Sequence, residues 1–116
     1  SVSVAEDEAA ARDAARIPVA FIVGGAPPPV LSRHDLDRET AAAVGEKVSA
    51  GEFGEAGALV TDAMLDAFCV AGTPATVADR LDALLEYVDG VVAAAPLGPD
   101  VGAAIELTAE AVDRVR

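Results

Sequence analysis

The chain has 116 residues, enough for one domain or part of one, and sets 20 acidic residues against 8 basic ones for a net charge of −12. That balance disfavours nucleic acid or an anionic membrane surface as a partner. The single cysteine, Cys69, excludes an internal disulfide framework, and no apolar run approaches the length of a membrane-spanning helix. A cytoplasmic protein fits these totals. The basic side is one lysine, Lys47, and seven arginines. Acidic excess with so little lysine reads as adaptation to a salty cytoplasm, where charge repulsion is screened. A GC-rich genome also accounts for arginine over lysine and for the alanine and valine bias, but less easily for the net charge.

In chain order, Ser1-Val2-Ser3-Val4 alternates as a strand does, already under way at the first residue and without an initiator Met, as in a chain processed or cut from something longer. Glu6, Asp7 and Glu8 place negative charge where a helix start favours it, and Ala9 to Arg16 is strongly helical by propensity. Pro18 is expected to kink or restart that helix. The apolar run Val19 to Val23 reads as a buried helical turn or a strand, with helix favoured, ended by Gly24-Gly25; the stretch from Ile17 to Val23 is too short and too late for a signal peptide. Ala26-Pro27-Pro28-Pro29 reads as a stiff, extended connector. A helix is expected from about Asp37 to Ala50, with Gly51 as its stop. Glu52 to Leu59 reads as a turn or short helix, and Thr61 as the N-cap of a helix over 62–68. The whole of 26–67 is thus expected to be a helical insertion between two strands.

Cys69-Val70-Ala71 is the second strand candidate. Thr73 can cap a helix whose first position suits Pro74, and Val77, Leu81, Leu84, Leu85 and Val88 recur as one apolar stripe up to Gly90. Val91 to Ala95 lacks polar alternation, as expected for a third strand covered on both faces. Asp100 caps a last helix, expected to carry Ile105, Val112 and Val115 inward and to end near Arg114 and Arg116, charges suited to a C-terminus. The order is β-α-(helical insertion)-β-α-β-α, an α/β chain of about three βα units. Three parallel strands have bare edges and faces that want helices. The chain therefore reads as the last portion of a (β/α)8 barrel, which typically takes about 250 residues, more than as a complete fold. The open edges lead us to expect self-association as a homo-oligomer.

The run from Met64 to Leu107 resembles the C-terminal end of the luciferase-like flavin and deazaflavin enzymes, through GTP at 72–74 followed by VADRL. APLGPD at 95–100 resembles the corresponding segment of the methylenetetrahydromethanopterin reductase group, which uses the deazaflavin coenzyme F420. VAFIVGGAPPPVLSRHDLD at 19–37 and EFGEA at 52–56 look like the same group. The likeness covers nearly the whole chain and leaves out the amino-terminal two-thirds of the family's length. It implies a TIM (β/α)8 barrel in which 68–99 contains the seventh and eighth strands. It also implies hydride transfer from reduced F420 to the methylene group of a pterin substrate, with much of the coenzyme machinery in the part this chain lacks. A fragment inactive alone is expected. A flavin-dependent monooxygenase using FMN or another deazaflavin dehydrogenase of the same superfamily, and a free-standing α/β interaction module without catalysis, remain the alternatives.

The candidate coenzyme-binding residues follow from barrel position. Leu97, Gly98 and Pro99 come after the last expected strand, on the face where such barrels act; a tight strand-to-helix turn needs the same residue types. Gly72 and Thr73 end a strand and open a helix, where backbone N–H groups hold anions, although capping alone explains Thr73. His34, the only histidine, lacks a second ligand at metal spacing and reads as a surface residue. No metal site is expected. Cys69 has no basic sequence neighbour and reads as a buried, inert thiol. Ser32, Ser49 and Thr61 lack a nucleophile elbow, and no residue stands out as a catalytic acid.

Overall fold

In a computed structural model, residues 1–115 are described. The elements are β1 (Val2–Val4), α1 (Glu8–Gly25), α2 (Pro28–Arg33), α3 (Arg38–Ser49), α4 (Phe53–Leu59), α5 (Asp62–Phe68), β2 (Val70–Gly72), α6 (Pro74–Leu85) and α7 (Val101–Arg114). They fall into two compact units, one of residues 1–15 with 69–116 and the other of 16–68, α1 contributing to both. The architecture is α/β and rich in helix.

The first unit is built on β1, which pairs in parallel with β2 in the register Val2↔Val70 and Val4↔Gly72. On its other side, Val2 N–H donates to the Ala94 carbonyl at 3.0 Å and Val4 N–H to the Leu97 carbonyl at 2.7 Å. The earliest segment of the chain is therefore the middle lane. All three residues of β1 are buried. The alternation Ser-Val-Ser-Val suggests one wet face, yet Ser3 is inside because its hydroxyl donates to the Ala11 carbonyl of α1 at 2.6 Å. Val2, Val4, Val77, Leu81 and Ala111 form the core, with Val70, Leu107 and Val115 packed against it. Each buried valine or leucine of this core contributes about 1.5–3 kcal/mol.

Four expectations change in this unit. No strand forms over Val91–Ala95; the segment is exposed, Val92 to 89%. It touches the sheet only through Ala94 and the single bridge Ser3↔Leu97, because one paired edge and three alanine methyls hold too little area to bury it. The lanes on either side of α6 are not neighbours, since β1 lies between them. The sixth helix stops at Leu85, with Tyr87 and Val88 N–H both turned back onto the Leu84 carbonyl. Leu84 and Val88 thereby leave the buried stripe and stand exposed. In α7 the inward face is Ala104, Thr108 and Ala111 with Val115, whereas Ile105 is 57% exposed and Val112 also faces out. Small side chains let α7 lie close to α6 and β1. Arg116 lies outside the described residues.

Thr108 Oγ1 is the one buried side-chain polar atom without a hydrogen-bond partner among the described residues. Replacing Thr108 by valine keeps the shape and removes an unsatisfied hydroxyl, so Thr108→Val is expected to raise stability by about 1 kcal/mol. Urea unfolding at fixed protein concentration measures this, and a less stable variant would count against the packing described.

The second unit, 16–68, is helical throughout. Pro18 does not restart α1, which runs unbroken from Glu8 to Gly25; the lost N–H leaves one open ladder position in an 18-residue helix. The proline run is only half extended. Pro27 sits at φ −71°, ψ 154° as the N-cap, and Pro28 opens α2, where a missing N–H costs nothing. Asp37 Oδ2 accepts from the Thr40 hydroxyl at 2.6 Å and from Thr40 N–H at 2.9 Å to start α3, and these bonds hold its carboxyl below the usual range. Gly51, at φ 76°, follows the end of the helix. Helices α1 and α3 meet at Gly24 and Gly45, where a Cβ on Gly24 would lie 3.1 Å from the Gly45 Cα. Lys47 joins α3 to the α4 segment by ion pairs of 2.7 Å to both Glu52 and Glu55. Thr61 Oγ1 accepts from Met64 N–H at 3.2 Å to start α5. Met64 and Leu65 are fully buried.

Candidate functional site

Parallel strands share a carboxyl-terminal edge, and that edge organises the site in the first unit. Gly72 ends β2 level with Val4, and its carbonyl accepts from Ala5 N–H at 3.2 Å. Across β1, Leu97 N–H donates to the Val2 carbonyl at 2.8 Å, which brings Leu97-Gly98-Pro99 to the same edge. The five residues expected at one rim, Gly72, Thr73, Leu97, Gly98 and Pro99, therefore flank the end of β1 on its two sides. Only Pro99 lines the cleft there, a space of about 340 Å³ whose apolar floor includes Val4, Ala5 and Leu107, with Glu6, Asp100 and Glu106 among its other walls.

The other four residues are engaged within the fold. A Cβ at Gly98 would fall 2.4 Å from the Val4 carbonyl oxygen and 2.8 Å from Ala104 Cβ, so this glycine is required by the chain's own close approach. Leu97 adopts φ 67° to turn the loop. Gly72 has φ 154°, and a Cβ there would lie 2.9 Å from Thr76 Cγ2. The Thr73 oxygen accepts from Thr76 N–H at 3.3 Å, and its hydroxyl lies 3.2 Å from Thr76 Oγ1. That bond consumes one of the N–H groups an anion at this helix start would need.

These observations test the fit of a deazaflavin with an anionic tail. The rim has the place and rigidity to form a wall against a planar group. It does not fit the anionic tail, because its glycines cradle their own chain, a helix-start N–H is already bonded, and the adjoining cleft presents carboxylates. Glu6, Asp100 and Glu106 are the cleft residues that sequence reasoning passed over. Their signals were local and pointed elsewhere, Glu6 to a helix start and Asp100 to a cap, which its 3.1 Å bond from Ala103 N–H makes it.

The remaining candidates keep their structural readings. His34 is exposed, its ring edge-on to Phe68 at 5.4 Å. Ser32 Oγ accepts from Arg38 at 3.0 Å. No grouping of three metal-ligand side chains occurs among the described residues. No helix among them is long and apolar enough to cross a membrane. Cys69 is buried, and desolvation pushes its thiol up from the ordinary value. Alkylation of Cys69 by iodoacetamide at pH 8 is accordingly expected to be at least tenfold slower in the folded chain than in urea, by order of magnitude about that factor; equal rates would contradict the burial.

Residues 1–92 match the luciferase-like monooxygenase family. The chain is 45% identical over 111 residues to the 5,10-methylenetetrahydromethanopterin reductase of Methanopyrus kandleri, covering 95% of this chain and 32% of that protein. The reductase of the same name from Archaeoglobus fulgidus is 45% identical over 112 residues, covering 92% of this chain and 34% of its own. The solved coenzyme F420-dependent tetrahydromethanopterin reductase from Methanopyrus kandleri superposes with a TM-score of 0.94 at 43% identity, over 99% of this chain and 34% of that one. The chain thus spans about a third of the length of the curated relatives it matches. The family match stops before APLGPD at 95–100, but an alignment over 95% of the chain must include it.

Proposed function

The chain belongs to the luciferase-like monooxygenase family, and from that membership we propose that it is the C-terminal third of a coenzyme F420-dependent reductase acting on a methylene-tetrahydropterin. The observation that carries the reading is the 43–45% identity to reductases of this activity, maintained through nearly the whole chain and joined to a TM-score of 0.94. In that role the chain supplies a carboxyl-terminal portion of a (β/α)8 barrel and the helical insertion of 26–67. Gly72, Thr73, Leu97, Gly98 and Pro99 form part of one wall of the coenzyme and substrate pocket, a reading supported by their position on the two sides of the end of β1. Their contribution is shape. They set the rim's backbone, exclude water from its floor and leave the anionic part of the coenzyme to other residues. The isolated chain is inactive because the other walls are absent from it.

The test compares two polypeptides. A full-length reductase containing this stretch is expected to oxidise reduced F420 only when a methylene-tetrahydropterin is supplied, followed by the return of deazaflavin absorbance, and the 116-residue chain to leave it unchanged. Oxidation without pterin, or a requirement for FMN in place of F420, would overturn the reading in favour of a flavin monooxygenase, the chemistry named in the family description.

A further inference from the structure

We propose that α4 is a flap that opens from its amino-terminal end, held against α3 by a clasp in which the chain's only lysine, Lys47, grips Glu55. The flap lies wholly within the second unit and depends on no part of the coenzyme reading.

Helix α4 has little of its own to keep it folded. It is seven residues long, and two of them, Gly54 and Gly57, are glycines. An isolated helix needs about 12–15 residues to be even marginal in water. Its N-cap, Glu52, makes no side-chain capping bond, so the first-turn N–H groups lack that support. Within α4 only Ala56 and Gly57 are buried, and they carry one methyl group between them. A segment with so little buried apolar contact is of the kind that opens locally.

The two ends of α4 are held differently. At the carboxyl end Val60 is buried, and its carbonyl accepts from Arg16 Nη1 of α1 at 2.8 Å. Gly57 packs so tightly there that a Cβ would lie 3.1 Å from Ile17 Cγ1. At the amino end the contacts are on the surface. Exposed Phe53 meets exposed Phe21 with ring centroids 5.1 Å apart, and Lys47 Nζ lies 2.7 Å from both Glu52 Oε2 and Glu55 Oε2. The two carboxylates are not equivalent. Glu52 is also tied by its backbone, its N–H donating to the Lys47 carbonyl at 2.9 Å. Glu55 belongs to α4 itself, so its pair with Lys47 is the one that joins the flap to α3.

The backbone around the clasp suits a hinge. Gly51 sits at φ 76°, and Gly54 has no atom within 4 Å of its would-be Cβ. The segment EFGEA at 52–56 thereby acquires a physical account. It supplies two carboxylates to one lysine, a ring to Phe21, a glycine in open space and an alanine small enough for the interior. Opening uncovers Ile17 and Phe21, which lie four residues apart on one face of α1.

The experiment is hydrogen exchange on the folded 116-residue chain, read amide by amide by NMR. The Ala56 amide, bonded to the Glu52 carbonyl at 2.9 Å, is expected to exchange about tenfold or more faster than the bonded amides of α3, and faster than that of Val60. Lys47→Met and Glu55→Gln are each expected to speed Ala56 exchange by about two- to fivefold, the scale of exposed ion pairs, and to leave α3 unchanged. One variant takes the net charge from −12 to −13 and the other from −12 to −11, so the same response to both identifies the clasp and not the overall charge. The double variant is expected to be no faster than the quicker single one, because both remove one contact. Glu46→Gln, an exposed carboxylate of α3 outside the clasp, is the control and leaves Ala56 exchange as it was. An Ala56 amide as slow as those of α3, a Val60 amide that exchanges first, or indifference to either Lys47→Met or Glu55→Gln would each overturn the proposal.

Discussion

Replacing Gly98 by alanine is expected to lower the stability of the first unit by about 3 kcal/mol or more, beyond the usual cost of a surface substitution. The added methyl would sit 2.4 Å from the Val4 carbonyl oxygen and 2.8 Å from Ala104 Cβ. Neither neighbour is the far end of a flexible side chain. One is the backbone of the central strand and the other belongs to the inward face of α7, so the loop must lift from β1 or α7 must move. Lifting the loop breaks the bonds that Leu97 makes to Val2 and Val4 at 2.8 and 2.7 Å. Gly90→Ala is the control: no atom lies within 4 Å of its would-be Cβ, and its effect is expected to stay within about 0.5 kcal/mol. Urea midpoints compared at one protein concentration decide the matter, since association shifts apparent stability. A Gly98→Ala variant as stable as the parent would show that the rim is looser than described, and would restore the idea that this glycine serves a ligand.

A second large effect is expected at Leu81. Truncation to alanine removes most of a side chain buried among Val2, Val4, Val77 and Ala111, and the cost is expected at about 2–5 kcal/mol. Ile105→Ala supplies the contrast. Ile105 is the larger and more hydrophobic member of α7 and, read from the sequence, belongs inside, yet it is 57% exposed, so its truncation should cost less than about 0.5 kcal/mol. A costly Ile105→Ala beside a mild Leu81→Ala would reverse the register of α7 against α6.

Much of the local structure was legible because its causes are local. Thr73 and Pro74 start α6, Asp37 starts α3, Asp100 starts α7 and Thr61 starts α5, in each case by an oxygen accepting from an N–H three residues on. Gly51 stops α3 through a positive φ that a glycine adopts without strain. The errors fall where distant chain decides. Val91–Ala95 carries a strand's composition, but a strand needs a neighbour on each side to be buried, and only β1 is there. The inward face of α7 was misjudged because the largest apolar residues are not the ones that fit. The helix meets the Gly98 turn through Ala104, where a larger side chain would collide with the loop. The site divided in the same way. The end of β2 could be placed from the sequence, and with it Gly72 and Thr73, whereas Leu97, Gly98 and Pro99 reach the same edge beside β1 although the strand expected before them does not form. Whether a rim residue faces a ligand or its own fold depended on distances no spacing encodes, and four of the five proved to be occupied by contacts of the chain itself.

The sequence by itself determined the helix starts at Asp37, Thr61, Thr73 and Asp100 with their capping chemistry, the burial of Cys69 and the kinship with the luciferase-like family, because each depends on residues adjacent in the chain or on a continuous string of them. Only the tertiary structure decided that β1 is the central lane, that Ser3 is buried against the Ala11 carbonyl, and that Gly98 exists to let Val4 pass. Those facts are set by atoms from 8 to dozens of residues apart in the chain meeting within a few ångströms, where hard-core repulsion and hydrogen-bond geometry act with a precision that hydrophobic periodicity does not carry.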